Sequence, residues 1–355
     1  MTPKYVQLAD ALRALIQSGA FHDTRQLPTE IQLSEQYQVS RQTVRQALGV
    51  LVNEGLIEKR QGSGSHITYA GLNAAHRTYK IAIITTYISD YIFPSILRSI
   101  QDVLSQHNCT MQLLATQNRI TLERQILEGL LVQDVDGIIV EGTKTALPNP
   151  NLDLYRQLHE KGIPVIFING SYAALPDCIS VLDDNFGGGY QLVEYLVNQG
   201  HSHIAGIFKS DDIQGIERYS GYIHALRDHG KLTENSLPVA WFTTENRVRV
   251  MDMHLIDYIK DCTAAVCYND EVAYILISLL KNAGLRVPQD MAVVSFDNSY
   301  FSELGGIKIT SLSHDGLNTG TQAANKLLQM IAGESVSSEV VPWTLKIKAS
   351  SQSTL

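Results

Sequence analysis

The sequence predicts an α/β protein, with an N-terminal winged helix-turn-helix and a larger two-lobed domain built on parallel sheets. Residues 1–68 hold three short amphipathic stretches and a glycine-containing hairpin. From Lys80 onward, strand-like apolar runs alternate with helix-length amphipathic stretches, the pattern of parallel strands covered by helices on both faces. A chain of 355 residues is longer than a typical single domain. We therefore expect a head at 1–68, a linker at 69–79 and a body at 80–355.

The first two helices of the head follow from apolar spacing and capping signals. One is predicted over Tyr5–Ser18, where apolar residues recur at helical spacing before Gly19. The second begins after Thr29, whose spacing to Gln32 is that of a capping box. The side chains of this second helix that we expect to face inward are Ile31, Leu33 and Tyr37.

The third helix carries the polar side chains that we expect to read DNA. It is predicted over Arg41–Asn53, after the capping hydroxyl of Ser40, and ends at Gly55. Its apolar residues turn inward, so the polar side chains of its first turns point outward. Such side chains reach base edges and phosphates when a helix enters a major groove. The expected DNA contacts from this helix are Arg41, Gln42, Thr43 and Arg45.

A short hairpin completes the head. Leu56–Arg60 and Ser65–Thr68 are predicted to be strands around a glycine-containing turn, which forms the wing. Glycine allows the backbone to approach a phosphate closely, so Gln61 and Gly62 are expected to contact DNA. Lys4, near the start of the chain, completes the expected DNA-binding set.

Composition limits the classes of function. The net charge is −8, yet the first 68 residues carry +1, so any DNA contact must be local. The four cysteines are scattered without metal-ligand spacing, which argues against a metal site or disulfides. Without an apolar run of membrane-spanning length or a signal peptide, the protein is expected in the cytoplasm and away from membranes.

No motif in the sequence favours catalysis or a cofactor. Neither H-E-x-x-H nor G-x-S-x-G occurs, and the glycine run at 187–189 lacks both dinucleotide and phosphate-loop spacing. We therefore expect no enzyme activity and no cofactor, and we interpret the glycine run as close packing at the start of a helix.

The body is expected to bind a ligand at one edge of its sheets. In open parallel sheets, ligands bind outside the carboxyl ends of the strands. The predicted strands are Ile81–Thr85, Thr110–Leu114, Gly137–Glu141, Val165–Ile168, Cys178–Leu182, Ile204–Phe208, Val239–Phe242, Ala264–Cys267 and Met291–Phe296.

Linked motifs give both parts a family resemblance. In the head, LPTE, VSRQTVRQAL, EGLIEK and QGSGSHI resemble the GntR-type winged helix. In the body, IPVIFIN, GIERYSGY, CYNDEVA, MAVVSFDN and TSLSHD resemble the periplasmic-binding-protein-like effector domain of LacI/GalR-type regulators. A GntR-type head on this body is the arrangement of AraR-type arabinose repressors, and TTYISDYIFPSIL, residues 85–97, resembles that group in particular.

The resemblance implies a sugar site. Its sugar-contacting positions fall on Asn169, Arg218, Asn269, Asp297 and His314, with Tyr91 and Phe93 from the loop after the first strand. Further candidates are Tyr87, Glu141 and Lys209. Amide, carboxylate and guanidinium groups suit the hydroxyls of a sugar, and aromatic rings suit its apolar faces.

The function implied is that of a homodimeric repressor whose two heads bind a palindromic operator and release it when a sugar, expected to be L-arabinose, closes the cleft. Other ligands stay open, namely another sugar or a purine. A solute-binding protein would share the fold but not the DNA-reading head. An enzyme, such as an aminotransferase fused to a GntR-type head, would need a much longer domain with a cofactor lysine.

Overall fold

The computed structural model of the chain describes residues 3–17, 20–21, 24–60, 64–68, 78–88, 91–232, 238–314 and 319–352. Within these ranges, no helix is both long enough and apolar enough to cross a bilayer.

The head is a three-helix unit with a two-stranded hairpin. Its elements are α1 (Lys4–Gln17), α2 (Glu30–Gln36), α3 (Arg41–Asn53), β1 (Ile57–Arg60) and β2 (Gly64–Ile67). The predicted capping box is present, because the Thr29 hydroxyl accepts from the Gln32 backbone and the Gln32 side chain accepts from the Thr29 backbone. The helix α3 ends before Gly55, whose φ of +70° is left-handed as expected. The strands β1 and β2 pair antiparallel.

One orientation predicted in the head is wrong. The side chain of Ile31 is 51% exposed, whereas Leu33 is fully buried and Tyr37 is half-buried. Each residue of an α-helix advances by about 100°, so Ile31 and Leu33 point about 200° apart and cannot share a face. Tyr37 lies four residues beyond Leu33 and returns to the buried side.

The first lobe of the body is built on a parallel sheet. Its leading elements are β3 (Lys80–Thr85), α4 (Phe93–Gln106), β4 (Thr110–Ala115), α5 (Ile120–Val132), β5 (Gly137–Val140), α6 (Leu152–Glu160), β6 (Val165–Ile168) and β7 (Ile179–Asp183). The central strands are buried on both faces between two apolar clusters. This burial explains why they appear in the sequence as continuous apolar runs.

The second lobe repeats this architecture. Its elements are α7 (Asn185–Asn198), β8 (Ile204–Lys209), α8 (Ile213–Asp228), β9 (Val239–Phe242), α9 (Arg247–Val250), α10 (Met253–Ile259), β10 (Ala264–Cys267), α11 (Asp270–Asn282), β11 (Ala292–Phe296) and β12 (Thr310–Ser313). A short 3-10 turn, Tyr300–Glu303, follows β11. Two further apolar clusters cover this sheet.

The chain then returns to the first lobe and crosses back. The helix α12 (Thr319–Ile331) and β13 (Glu339–Val341) complete the first lobe, whose strand order is β13-β7-β6-β5-β3-β4. The last strand, β14 (Thr344–Lys346), joins the second sheet antiparallel to β12, giving the order β14-β12-β11-β10-β8-β9. Connections therefore pass between the lobes after β7, after β12 and after β13.

All nine strands predicted in the body are present, and its strands β12, β13 and β14 were not predicted. Three of the four residues of β12 (TSLS) are polar, while β13 and β14 have three residues each. Such short segments do not show the apolar run or alternation that predicts a strand.

The glycine run packs one helix onto another. A Cβ on Gly189 would lie 2.1 Å from the carbonyl oxygen of Arg218, and a Cβ on Gly221 would lie 2.0 Å from that of Phe186. Only glycine permits this backbone approach of α7 and α8. The close-packing interpretation is therefore confirmed.

Candidate functional site

A cavity of about 490 Å³ lies between the two lobes, within the range typical of small-molecule sites. Residues of both lobes line it. The predicted ligand residues that line it are Tyr87, Tyr91, Phe93, Glu141, Asn169, Lys209, Arg218, Asn269 and Asp297.

Three of these residues have a left-handed backbone. The φ angles are 57° at Tyr91, 61° at Asn169 and 91° at Asp297. Residues other than glycine rarely adopt this conformation, and they cluster at functional sites when they do. Asn169 and Asp297 directly follow β6 and β11, so the turn at the end of each strand aims a polar side chain into the cavity.

On the first-lobe wall, Glu141 is fixed by its neighbours. One carboxylate oxygen accepts from the Thr86 backbone at 2.8 Å and from the Thr86 hydroxyl at 2.5 Å. The other accepts from the Asn169 amide at 3.2 Å. Burial raises the pKa of Glu141, although these hydrogen bonds oppose the shift. The wall thus presents an oriented acceptor beside an amide.

On the second-lobe wall, Arg218 is fully buried. Its guanidinium donates to the Asn185 side chain at 3.0 Å, to the Tyr268 carbonyl at 2.6 Å and to Asp297 at 3.2 Å. It also lies 4.2 Å above the ring of Phe296. Burial is the largest single influence and lowers the pKa of Arg218, but the surrounding groups together, Asp297 first among them, outweigh it and the pKa is raised. Three of the five N–H donors are used by these partners.

Tyr91 joins the two lobes across the cavity. Its hydroxyl donates to Asp297 at 2.5 Å and accepts from the Asp270 backbone at 3.2 Å. Tyr91 precedes α4 in the first lobe, whereas both partners belong to the second. Burial raises the pKa of Asp297, against the opposing effects of Arg218 and Tyr91. These bonds hold the lobes together at the site.

Lys209 adds a cation to the same wall. Its ammonium donates to Asp212 at 2.9 Å and lies 3.6 Å from Asp211. Burial lowers the pKa of Lys209, but the two aspartates outweigh it and raise the pKa overall. The hydroxyl of Tyr268 donates to the same oxygen of Asp212 at 2.7 Å.

Asn269 has a structural role as well as a place in the lining. Its side-chain oxygen caps α11 by accepting from the Val272 backbone at 3.0 Å, so Asn269 offers a ligand the donors of its NH₂ group. Asp270 is buried behind it and accepts hydrogen bonds from the serines at 295, 299 and 311. Burial and then Asp297 raise the pKa of Asp270 to about 7.

Aromatic rings line the cavity beside these polar groups. The Tyr87 and Phe93 ring centroids are 6.3 Å apart, and those of Tyr300 and Phe301 are 4.4 Å apart. The rings provide apolar surface for the C–H faces of a ligand.

Further contacts join the lobes near the cavity, and we call them the latch. Lys144 of the first lobe pairs with Glu245 and lies 3.9 Å from Asp211 of the second. The Asn118 amide donates to the Thr244 hydroxyl at 2.5 Å. The structure is therefore that of closed lobes.

His314 is not among the described residues that line the cavity. It follows β12 at a connection between the lobes, where its ring stacks on that of Trp343 with centroids 3.8 Å apart. Its Nε2 atom lies 3.1 Å from Asp183. The structure thus places this predicted ligand residue at the hinge.

In the head, the predicted face of α3 is largely exposed. Arg41, Gln42 and Arg45 are exposed. Thr43 is half-buried, and its hydroxyl lies 2.8 Å from that of Ser40, which caps the helix.

An acidic residue already occupies part of this face. Glu30 accepts from Arg45 at 2.8 Å and lies 3.9 Å from Lys59. Ion pairs at exposed side chains contribute little free energy, so Glu30 holds these two cations only weakly. Lys4 is exposed at the start of α1, and Gln61 and Gly62 lie outside the described residues.

Several lining residues were missed by the sequence analysis. Gln214 stands four residues before Arg218 and therefore shares its helix face. Thr86 follows β3 as Glu141 follows β5, so the strand-end rule was a sufficient signal. The same signal applies to Tyr268, which directly follows β10. For other lining residues the sequence offered no comparable local signal: Thr145, Arg247 and Glu271.

Comparison with known proteins identifies both parts. Residues 4–67 match the gntR family of bacterial regulatory proteins, and residues 193–351 match the periplasmic binding protein-like domain. An arabinose metabolism transcriptional repressor from Geobacillus stearothermophilus is 37% identical over 94% of this chain and 93% of its own length. One of the same name from Halalkalibacterium halodurans is 36% identical over 94% and 91%.

Solved structures agree on the fold. A complex of the transcriptional regulator CelR with cellobiose has a TM-score of 0.68 and 26% identity, covering 88% of this chain and 92% of that one. The transcription regulator CcpA of Lactococcus lactis, at 24% identity, has a TM-score of 0.69 over 78% of this chain and 100% of its own.

The fold and the two sites define a bacterial transcription regulator, in which a gntR-type winged-helix head is joined to a periplasmic-binding-protein-like body. Relatives of this kind are named as regulators, not as enzymes. Within this class, the chain belongs to the family of arabinose metabolism transcriptional repressors.

Proposed function

We propose that this protein represses genes of L-arabinose utilisation by binding a palindromic operator as a homodimer, and that L-arabinose in the interlobe cavity releases it. The observation that carries the proposal is a cavity enclosed by both lobes, in a chain that also has a winged-helix head. The names of the two most similar relatives reported above support the choice of sugar.

The cavity suits the chemistry of a monosaccharide. A sugar hydroxyl both donates and accepts, so it needs acceptors and donors side by side. Glu141 and Asp297 supply acceptors, and Asn169, Arg218 and Lys209 supply donors. The full proposed ligand set is Tyr87, Tyr91, Phe93, Glu141, Asn169, Lys209, Arg218, Asn269 and Asp297.

Residues of both lobes line one cavity, so a ligand bound there can act on the head through the arrangement of the lobes. A ligand that contacts both walls favours the closed lobes, because those contacts form together only there. We propose that closure alters how two bodies pair, and so how the two heads are spaced on DNA. The proposed DNA contacts are Lys4, Arg41, Gln42, Thr43, Arg45, Gln61 and Gly62, and the proposed units are 1–68, 69–79 and 80–355.

Calorimetry with a small panel tests the ligand. The panel is L-arabinose, D-xylose, D-galactose and adenine, titrated into the full-length protein. We expect saturable heat with L-arabinose and weaker or no heat with the others. Tightest binding of another sugar or of the purine would replace L-arabinose, and no heat from any of them would remove the sugar-sensing function.

A substitution in the head tests whether DNA and sugar bind at separate sites. Arg45→Ala is expected to weaken operator binding while leaving the L-arabinose affinity unchanged, because Arg45 lies in the head. The exposed Arg249 of the body provides the matched control, Arg249→Ala. Equal loss of DNA and sugar binding in Arg45→Ala would contradict separate sites.

A further inference from the structure

A cluster of three side chains lies where the chain passes between the lobes, and each comes from a different connection. Asp183 ends β7, His314 follows β12, and Trp343 lies between β13 and β14. The His314 ring stacks on the Trp343 ring at 3.8 Å and 21°, and its Nε2 lies 3.1 Å from Asp183 Oδ1. We call these three residues the hinge cluster.

The surroundings of His314 favour its charged form. Its Nδ1 atom lies 3.4 Å from the carbonyl oxygen of Pro342, and its Nε2 atom faces the Asp183 carboxylate. Each ring nitrogen thus faces an oxygen that can only accept a hydrogen bond, which favours a proton on both nitrogens. Burial lowers the pKa of His314, but Asp183 and the Pro342 carbonyl outweigh it and the pKa is raised.

The hinge cluster also contacts the cavity wall from behind. Asp183 Oδ2 accepts from Gln214 at 3.2 Å and lies 3.8 Å from the Arg218 guanidinium. Both of these side chains line the cavity, whereas Asp183 does not appear in its described lining. The carboxylate of Asp183 therefore faces His314 with its Oδ1 atom and the cavity wall with its Oδ2 atom.

Trp343 makes a second connection to the same arginine. Its ring packs edge-on against Phe296, with centroids 5.9 Å apart, and the Phe296 ring carries the Arg218 guanidinium at 4.2 Å. A Cβ on Gly188 would lie 2.8 Å from Trp343, so the indole has little room to shift.

We propose that Asp183, His314 and Trp343 are positioning residues that couple the angle between the lobes to the placement of Arg218. The proposal rests on the sugar-binding function proposed above. A rotation of the lobes moves the three connections relative to one another, so the hinge cluster cannot keep its geometry at another angle. Opening of the lobes would separate His314 from the buried carboxylate of Asp183, and a buried charge without a partner is costly. The lobes therefore favour one discrete arrangement over a continuous range of angles.

The position of the indole provides the readout. The chain has two tryptophans, Trp241 and Trp343, and Trp241→Phe leaves Trp343 as the only indole. L-arabinose is titrated into this variant by calorimetry and by tryptophan fluorescence. We expect a saturable change of Trp343 fluorescence with the same midpoint as the heat, although Trp343 is not in the described lining of the cavity.

A second variant tests the coupling itself. On the same background, Asp183→Asn is expected to lower the L-arabinose affinity by about 2- to 30-fold, the range for residues that couple sites without touching the ligand. It is also expected to reduce the fluorescence change. The matched control is Asp177→Asn, at an exposed aspartate just before β7. Thermal melting shows whether Asp183→Asn folds. If it does not fold, Trp343→Phe replaces it and is measured by calorimetry alone.

The outcomes separate the two proposals. Heat without a fluorescence change, together with an affinity of Asp183→Asn within twofold of its parent, would overturn the coupling and leave the sugar site standing. No heat with L-arabinose or the other panel sugars would remove the sugar site, and the coupling with it.

Discussion

Removing one hydroxyl group tests whether closure of the lobes contributes to sugar affinity. Tyr91→Phe keeps the ring at the cavity but removes the hydroxyl that donates to Asp297 and accepts from the Asp270 backbone. Both bonds cross between the lobes, so they form in the closed state. A hydrogen bond to a charged group contributes about 1.5–3 kcal/mol, which corresponds to a loss of about 10- to 150-fold in affinity.

The assay is calorimetry with L-arabinose at constant pH, with the operator affinity of the sugar-free variant measured alongside. The sugar affinity is expected to fall by that factor while sugar-free operator binding stays unchanged. Tyr258→Phe removes a hydroxyl from an exposed tyrosine of α10 and is the matched control. An L-arabinose affinity within twofold of the wild type would refute the reasoning.

Three further predictions concern the head, the latch and the hinge. Glu30→Gln frees Arg45 and Lys59 and should raise operator affinity by up to about 5-fold in fluorescence anisotropy; an unchanged affinity, equal to that of the exposed-site control Glu35→Gln, would contradict it. Lys144→Met should raise the sugar dissociation rate in stopped flow by up to about 5-fold, and an unchanged rate would show that the latch is not part of closure. The stability difference between wild type and His314→Gln should be present below pH 6.5 and lost as pH rises through the higher folded-state pKa of His314. Urea unfolding at low and high pH measures this difference, and one that does not depend on pH would contradict a charged His314.

Local patterns in the sequence were sufficient for much of this account. The apolar stripe of α3 determines which side chains point outward, so Arg41 and Arg45 were predictable from spacing alone. The carboxyl-end rule for parallel sheets placed Asn169, Asn269 and Asp297 at the ligand-binding ends of their strands before any contact was known.

Contacts between distant segments were beyond the reach of such patterns. Tyr91 and Asp297 are 206 positions apart, and periodicity carries no information on which loops meet across a cleft. His314 was predicted at the ligand from the family resemblance, but β12, which precedes it, leads directly into a connection between the lobes. The orientation predicted for Ile31 was wrong for a simpler reason, because residues two positions apart in a helix cannot both face the core side.

The central claim is that sugar and operator compete through one conformational equilibrium. The most direct measurement is the operator affinity of the full-length protein with and without saturating L-arabinose, paired with the sugar affinity with and without operator. Linkage requires the sugar to weaken operator binding, and the operator to weaken sugar binding by the same factor. An operator affinity that does not change at saturating L-arabinose, with sugar binding verified by calorimetry, would contradict the account.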